Sequence, residues 1–351
     1  MQLRNNKQER NFFKSGNLTS LLIILSFYST AQDRDTNYIQ PYTKMITGRA
    51  YLSQKYTIFG IDGSGGFREI QYRPNTKLSV GVGATYRALT LNVGYGFSFL
   101  NPGKEKGKTK YLDLQTHLYG AKWRFDLFGQ FYKGYFIFPR GYGSSDINTF
   151  YKRPDLNVKE MGVSAYQIYN SKRFSYRAAF LQSEWQKKSV GSFLLGGSIT
   201  YGKIRGDSAI VPAALAADYP QKNIEQVRYI EVGPGAGYAY TLVWKEHWFI
   251  TASATLSLDL GFVEETIKEI NKFTRQISPN FMFRSGIGYN SSNWNLNFFW
   301  VSNRTAISGQ FPQGGYHVNT GNYRLAVAKR IMPGPKLKKL LSLVDKVLDR
   351  K

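Results

Sequence analysis

The sequence predicts an all-β protein, a transmembrane antiparallel up-and-down β-barrel of about twelve strands, and three observations carry that prediction. The composition is rich in strand and turn formers, with 25 Tyr, 24 Phe and 34 Gly in 351 residues. Long stretches alternate strictly between apolar and polar side chains. No run of about 18 apolar residues exists to cross a bilayer as a helix.

The alternation is clearest in "HWFITASATLSLDLGF" (247–262), where Trp248, Ile250, Leu256, Leu258, Leu260 and Phe262 interleave with Thr251, Ser253, Thr255, Ser257 and Asp259. Successive strand side chains point to opposite faces, so this stretch has one apolar side and one polar side. "LSVGVGATYR", "LTLNVGYGFSF" and "NWNLNFFW" repeat the pattern. Their polar rows are mainly Gly, Ser, Thr and Asn, which suits a lumen better than the Lys- and Glu-rich outer face of a soluble sandwich. Trp244, Trp248, Phe249, Tyr289 and Trp294 crowd the strand ends, as expected of aromatic girdles at lipid–water interfaces.

Arg4, Lys7, Arg10 and Lys14 precede the short apolar stretch "NLTSLLIILSF", and Ser29 and Ala31 supply small residues for cleavage. Residues 1–31 are therefore predicted to be a secretory signal peptide, 32–331 the barrel and 332–351 a basic tail. The absence of cysteine excludes disulfides, thiolate catalysis and cysteine-ligated zinc. A net charge of +24 would suit nucleic acid in the cytosol. In an exported chain it points instead to membrane lipids and lipopolysaccharide phosphates as partners, with Lys104, Lys106, Lys108 and Lys110 clustered in one segment.

Tight links are expected near 87–88, 120–122, 170–173, 245–247 and 291–293, and longer ones near 59–66, 99–109, 138–158, 203–226, 263–277 and 304–316. This alternation of short and long connections gives the strand count of about twelve. Residues 174–202 strain it, because apolar positions are even at Phe174, Tyr176, Ala178 and Phe180 but odd at Phe193, Leu195, Ile199 and Tyr201. A bulge in one long strand keeps twelve, whereas a hairpin at "QKKS" with a break at "RPNT" gives about fourteen. After the last strand, Leu337, Leu340, Leu341, Val344, Val347 and Leu348 recur at helical spacing among basic residues. This amphipathic helix is expected on the inner leaflet, in the barrel mouth, or as a tail without structure.

"YKRPDL" (151–156) and "FSYRAAFLQSEWQKKSVGSFLLGG" (174–197), with "YLSQKY", "YRPN", "GYAYT" and "TGNYR", resemble a family of exported proteins of Gram-negative bacteria. That family is a domain of unknown function regarded as an outer-membrane barrel. The resemblance implies the barrel and the outer-membrane location, and it brings no activity; the barrel assembly machinery is a further expected partner of such a chain. The tail after Ile331 departs from the aromatic closing strand usual in the family.

Three groups of residues are candidate sites. Gln182, Glu184, Gln186, Lys187, Lys188 and Ser189 form the densest polar cluster, able to hold a lipid phosphate or activate a nucleophile. Asp113, His117, Arg124 and Asp126 face one another across the tight link at 120–122, with His117 expected opposite Arg124. Arg153 and Asp155 are expected to pair and fold an external loop inward. No spacing of His247 and His317 with other ligands suits zinc, and "GPGAGYAY" runs into a strand where a dinucleotide motif needs a helix, so neither metal nor cofactor is expected. A porin-like narrow pore or transporter for small solutes or lipid is the first functional expectation. A lipid- or lipopolysaccharide-modifying enzyme and a structural or adhesive barrel follow.

Overall fold

The computed structural model describes residues 34–348 apart from 64–65, 88, 101–102 and 313, so the expected signal peptide lies outside the described residues. In chain order the strands are β1 (Ile39–Pro41), β2 (Ile46–Ile61), β3 (Ile70–Arg73), β4 (Ser79–Tyr86), β5 (Leu89–Tyr95), β6 (Lys110–Tyr119), β7 (Trp123–Phe138), β8 (Lys152–Ile168), β9 (Glu184–Gln186), β10 (Val190–Arg205), β11 (Gln226–Trp244), β12 (Trp248–Ile267), β13 (Ile270–Asn290), β14 (Trp294–Phe311) and β15 (Gly314–Ile331). All but β1 and β9 belong to one 13-stranded sheet. The sheet closes because β15 pairs with β2 along its length, from Ile331↔Ile46 to Tyr316↔Ile61.

The expected count of twelve strands is corrected by this sheet. Hydrogen bonding closes a ring of ten strands, β2–β3–β7–β8–β10–β11–β12–β13–β14–β15, while β4, β5 and β6 attach to it. The cause lies at Pro74, which has no N–H to give to a neighbour. Before it, β3 bridges the loop-end portions of β2 and β7. After it, β4 pairs with the lower half of β2 and turns into β5. Among the described residues β6 pairs only with β7, and no pairing joins β5 to β6. The wall therefore has a seam between β5 and β6 at the turn end, and at the loop end the β13–β14 ladder stops at Phe281↔Arg304.

The opening pattern resolves in favour of an outward apolar row. Thr251, Ser253, Thr255, Ser257 and Asp259 are buried inside the barrel, whereas Leu256 and Leu258 are 51% and 58% exposed on its outside. Trp244, Trp248 and Trp294 ring the turn end on the outside, but Phe249 faces inward and packs in the interior, which removes it from the expected girdle. Toward the loop end the outer row changes character. Lys159, Lys203, Arg228 and Glu264 come level across four neighbouring strands, and Arg228 Nη1 donates to Glu264 Oε2 at 2.9 Å. An apolar band below a charged rim is the surface a bilayer requires.

Two expected long loops are corrected as well. β12 and β13 run on to a two-residue turn at Lys268 and Glu269, with Ile267 paired to Ile270, and β14 and β15 pair as far as Phe311↔Gly314. Lys268 and Glu269 both take positive φ, 44° and 68°. Such turns normally announce themselves through Asn-Gly or Asp-Gly, and Lys-Glu carries no such signal. The same dipeptide, Lys245-Glu246, also takes positive φ in the three-residue loop between Trp244 and Trp248.

The segment 169–189 is neither a bulged strand nor a wall hairpin. β8 pairs directly with β10, and the chain between them folds into the turn end of the lumen as the short helix α1 (Tyr176–Phe180) and β9. Ser175 caps α1 by accepting from Ala178 N at 3.1 Å. β9 pairs with β1, so the first described strand also lies inside. The change of apolar parity thus marks an exit from the sheet. At the opposite end, Ile210, Val211, Tyr219 and Ile224 of the 206–225 loop pack with Phe59, Tyr72, Tyr132, Tyr229 and Tyr316 into an apolar core that fills the mouth. The tail forms α2 (Pro335–Leu348), and Asp345 accepts from Arg87 Nη1 at 3.0 Å and from Tyr86 Oη at 3.1 Å. The helix is docked at the foot of the β4–β5 hairpin.

Candidate functional site

The interior divides by charge. Its turn-end half holds five inward arginines from four wall strands: Arg49 of β2, Arg124 of β7, Arg284 of β13, and Arg324 and Arg330 of β15 are buried or half-buried. Its loop-end half holds Glu160 of β8, Glu231 of β11, and Asp259 and Glu265 of β12, all buried. The sequence reading did not select these carboxylates, although Asp259 stands in the polar row of the first stretch considered. Strand parity at Glu160, Glu231 and Glu265 would have placed them inside in the same way.

Asp126 is the hub of the cationic half. Arg284 Nη2 donates to Asp126 Oδ2 at 2.6 Å, Arg124 Nε lies 3.4 Å from that oxygen, and Ser164 Oγ donates to it at 3.1 Å. His117 Nδ1 lies 2.7 Å from Asp126 Oδ1. Arg284 Nη1 also donates to Tyr119 Oη at 2.5 Å, and Arg124 stands over the Tyr166 ring at 4.6 Å. The expected register is corrected: Tyr119 pairs with Arg124 and His117 with Asp126, because the turn runs over 120–123, two residues longer than a 119–122 pairing allows. Asp113 does not join this network. It accepts from Tyr132 Oη at 2.6 Å and from Lys55 Nζ at 3.0 Å, higher in the lumen.

The polar cluster at 182–189 is divided rather than brought to one centre. Glu184 is buried in the plug, where Arg34 Nη2 lies 3.2 Å away, Arg177 Nη1 3.6 Å away, and Ser175 Oγ donates to it. Gln186 accepts from Ser175 N at 3.0 Å and donates to Arg173 O at 2.7 Å. The Gln182 carbonyl accepts from Arg330. Lys187 donates to Gln40 at 3.3 Å and Lys188 stands over the Tyr38 ring, while Ser189 Oγ accepts from Val243 N at 2.8 Å. These groups hold the plug's own fold, so a shared phosphate-binding centre is not assembled from them.

Arg153 and Asp155 form a two-pronged pair at 2.9 and 2.8 Å. They lie in β8 and not in the loop, and they fasten the 206–225 loop through Ala209 O, Ser208 O and Asp207 N. Of the expected lysine cluster, Lys104, Lys106 and Lys108 lie in the loop before β6, and Lys110 begins that strand. Among the described residues no group of His, Cys, Asp and Glu is arranged to hold a metal ion.

Arg49 and Arg324 stand apart from this pairing. Arg49 is 6% exposed and donates to Asn92 Oδ1 at 3.3 Å, to Leu181 O at 2.8 Å and to Thr85 Oγ1, with no carboxylate in reach. Arg324 has only aromatic faces, 4.3 Å over Tyr51 and 5.3 Å over Phe299. The Tyr51 ring can lie there because Gly81 has no side chain; a Cβ on Gly81 would come within 2.2 Å of the ring. The Nε atoms of both arginines are buried without a hydrogen-bond partner.

The family model described as "Domain of unknown function (DUF4421)" matches residues 33–328. The chain belongs to the DUF4421 family. Comparison with curated proteins gives no match. Among solved structures, this DUF4421 protein is similar to Neisserial surface protein A at 9% identity, over 80% of this chain and 96% of that one, with a TM-score of 0.22. It is similar to the translocator domain of the autotransporter NalP from Neisseria meningitidis at 8% identity, over 92% and 98%, with a TM-score of 0.32. For the P. putida toluene transporter TodX the values are 9% identity, 84% and 92%, and 0.28.

Proposed function

We propose that this DUF4421 protein is an outer-membrane transporter for small solutes or lipid, closed at rest by a segment of its own chain. One observation carries the reading. The turn end of the barrel is filled by 169–189, which is held to the wall by Arg330 and by Asn297, whose Nδ2 donates to Ala179 O at 2.9 Å. Tyr176 Oη adds a hydrogen bond to Ser253 Oγ at 2.6 Å. Phe174, Tyr176 and Phe180 pack against Tyr119, Phe249 and Phe299 of the wall, yet the plug is not continuous with the wall ladder, so it is a part that can move while the barrel stays intact.

The outer-membrane location is supported by the outward apolar band and by the charged rim above it. Lys159, Lys203 and Arg228 on that rim suit the phosphates of lipopolysaccharide, and the barrel assembly machinery is the partner that such a chain requires for insertion. A lipid-modifying enzyme has one observation in its favour, the 2.7 Å pair of His117 with Asp126. Its weakness is the nucleophile: Ser164 donates to Asp126, and Ser189 bonds the β11 backbone, so neither hydroxyl is activated by His117.

Reconstitution separates the two. The wild-type protein in vesicles is expected to pass small solutes or lipid, with no continuous stepwise current in planar bilayers. Flux absent from wild type and from plug-loosened variants, together with deacylation of labelled lipid lost in His117→Ala, would replace transport by enzymology.

A further inference from the structure

We propose that the seam between β5 and β6 is a side entrance from the membrane, and that Arg49 and Arg324 behind it receive the anionic head of a single-chain amphiphile. This rests on the transport reading above and names its cargo class and route.

The seam is formed by two strand edges that lack each other as partners. Among the described residues β5 pairs in the ladder with β4 alone and β6 with β7 alone, and Lys55 Nζ reaches across from β2 to donate to Asp113 O of β6 at 3.0 Å. At this turn-end height the other neighbouring wall strands are hydrogen-bonded to each other, as a wall in lipid requires, since unpaired backbone groups there are costly. An interruption at this height is therefore a place where another molecule meets the wall. The outward residues on its two lips are apolar: Leu91 and Val93 on β5 are 72% and 63% exposed, and Leu112 and Leu114 on β6 are also exposed. They offer an acyl chain the same surroundings as the bilayer. The inner face of β5, by contrast, is polar and accessible at Thr90 and Asn92.

Directly behind that inner face lie two arginines that no carboxylate faces. Asn92 itself accepts from Arg49, and Arg324 stacks on Tyr51, which occupies the same inward row of β2 as Arg49. Of the other arginines of this half, Arg124 and Arg284 face Asp126 and Arg177 faces Glu184, while Arg330 is taken up by the carbonyls of Gln182 and Ser291 and by Asn290 Oδ1. Two guanidiniums with free buried Nε groups behind an apolar cleft call for an anion carried on a hydrocarbon chain. Leu181 O, which also accepts from Arg49, belongs to the plug, so occupancy of this site reaches the closing segment directly. Helix α2, docked at the foot of the β4–β5 hairpin with Lys336, Lys338 and Lys339 exposed, gathers anionic amphiphiles at the entrance.

The chain has no cysteine, so single cysteines report cleanly. The full-length protein carrying Asn92→Cys, or independently Gln115→Cys on the other lip, is labelled with a fluorophore in vesicles and titrated with a bromine-labelled fatty acid. A bromine-labelled lysophosphatidic acid and a bromine-labelled neutral alcohol of equal chain length are run beside it. Quenching is expected with both anions, which decides between carboxylate and phosphate heads by their order, and about tenfold or more weaker with the alcohol or after Arg49→Gln with Arg324→Gln. Bridging Leu91→Cys to Thr116→Cys with a bis-maleimide is expected to abolish quenching while the barrel retains its heat-shifted gel mobility. Equal quenching by the alcohol, full competition by inorganic phosphate, quenching that survives the bridge, or a second copy paired along β5 in cross-linked vesicles would each overturn the proposal. Flux without quenching rejects the side entrance alone; quenching without flux rejects the transport reading alone.

Discussion

Arg330 Nη2 donates to the main-chain oxygen of Gln182 at 2.7 Å, so the last wall strand is fastened to the plug by a buried guanidinium. The same group donates to Asn290 Oδ1 at 2.8 Å and stands over the Tyr42 ring at 4.1 Å. Arg330→Ala removes these contacts together and leaves plug carbonyls without donors, a loss of about 1.5–3 kcal/mol for charged hydrogen bonds. The expected outcome is an intact barrel with a loosened plug, seen as new stepwise conductance and as faster hydrogen exchange across 174–189. Unchanged exchange and silence in bilayers would show that the plug is held by its apolar contacts alone.

Asp126 is expected to be the most sensitive polar position in the lumen. Asp126→Asn leaves Arg284 and Arg124 buried without their anion, which costs about 3–5 kcal/mol when one partner of a buried pair is removed. His117→Ala, at a side chain that is 26% exposed, is expected to cost much less. Urea titration of folding into vesicles compares the two directly. Equal losses would mean that the interior is more hydrated than the closed packing around Asp126 indicates.

Lipid contact can be mapped by charge. Ile199 faces outward at mid-wall, and Ile199→Arg is expected to cost about 2–4 kcal/mol, whereas Phe273→Arg is expected to cost about 0–1 kcal/mol. Phe273 pairs with Glu264 in the charged rim, beyond the apolar band. The same urea titration in vesicles measures both, and similar costs at the two positions would argue against a bilayer around this wall.

The loop after β2 is expected to be acid-labile. His317 Nδ1 lies 3.1 Å from Asp62 Oδ1, and its Nε2 lies 2.9 Å from Glu69 Oε1. The hydrogen bond from His317 holds the Asp62 carboxyl below its ordinary value against burial, with the charges of His317 and Arg304 adding to it. At Glu69 burial pulls upward, but the His317 contact, its charge, Gln71 and Arg304 together bring the group down. A carboxylate with a lowered folded-state pKa adds stability above its unfolded value, near pH 4, and loses it as pH falls through the folded value. Proteolysis of the 62–69 loop is therefore expected to stay slow from neutral pH down to about 4 and to rise below it. His317→Ala is expected to move that onset upward.

Alternation alone determined that Leu256, Leu258 and Leu260 share one side of a strand and Ser257 and Asp259 the other, because strand side chains repeat every second residue whatever the fold. The tight turn at 245–247 and the helical spacing after Pro335 were legible for the same local reason. The Lys268-Glu269 turn was not, since its positive φ angles are imposed by the paired strands on residues that do not announce them. Nor was the course of 169–189: its change of parity was visible, but whether such a segment stays in the sheet or enters the lumen depends on Arg330, Asn297 and Ser253 being present on strands more than fifty residues away. Likewise His117 and Asp126 come from one hairpin and could be paired from sequence to within the register of a turn. Their neighbour Arg284, and the meeting of Arg49 with Arg324 behind an unpaired edge, exist only because the sheet closes and brings the first wall strand beside the last.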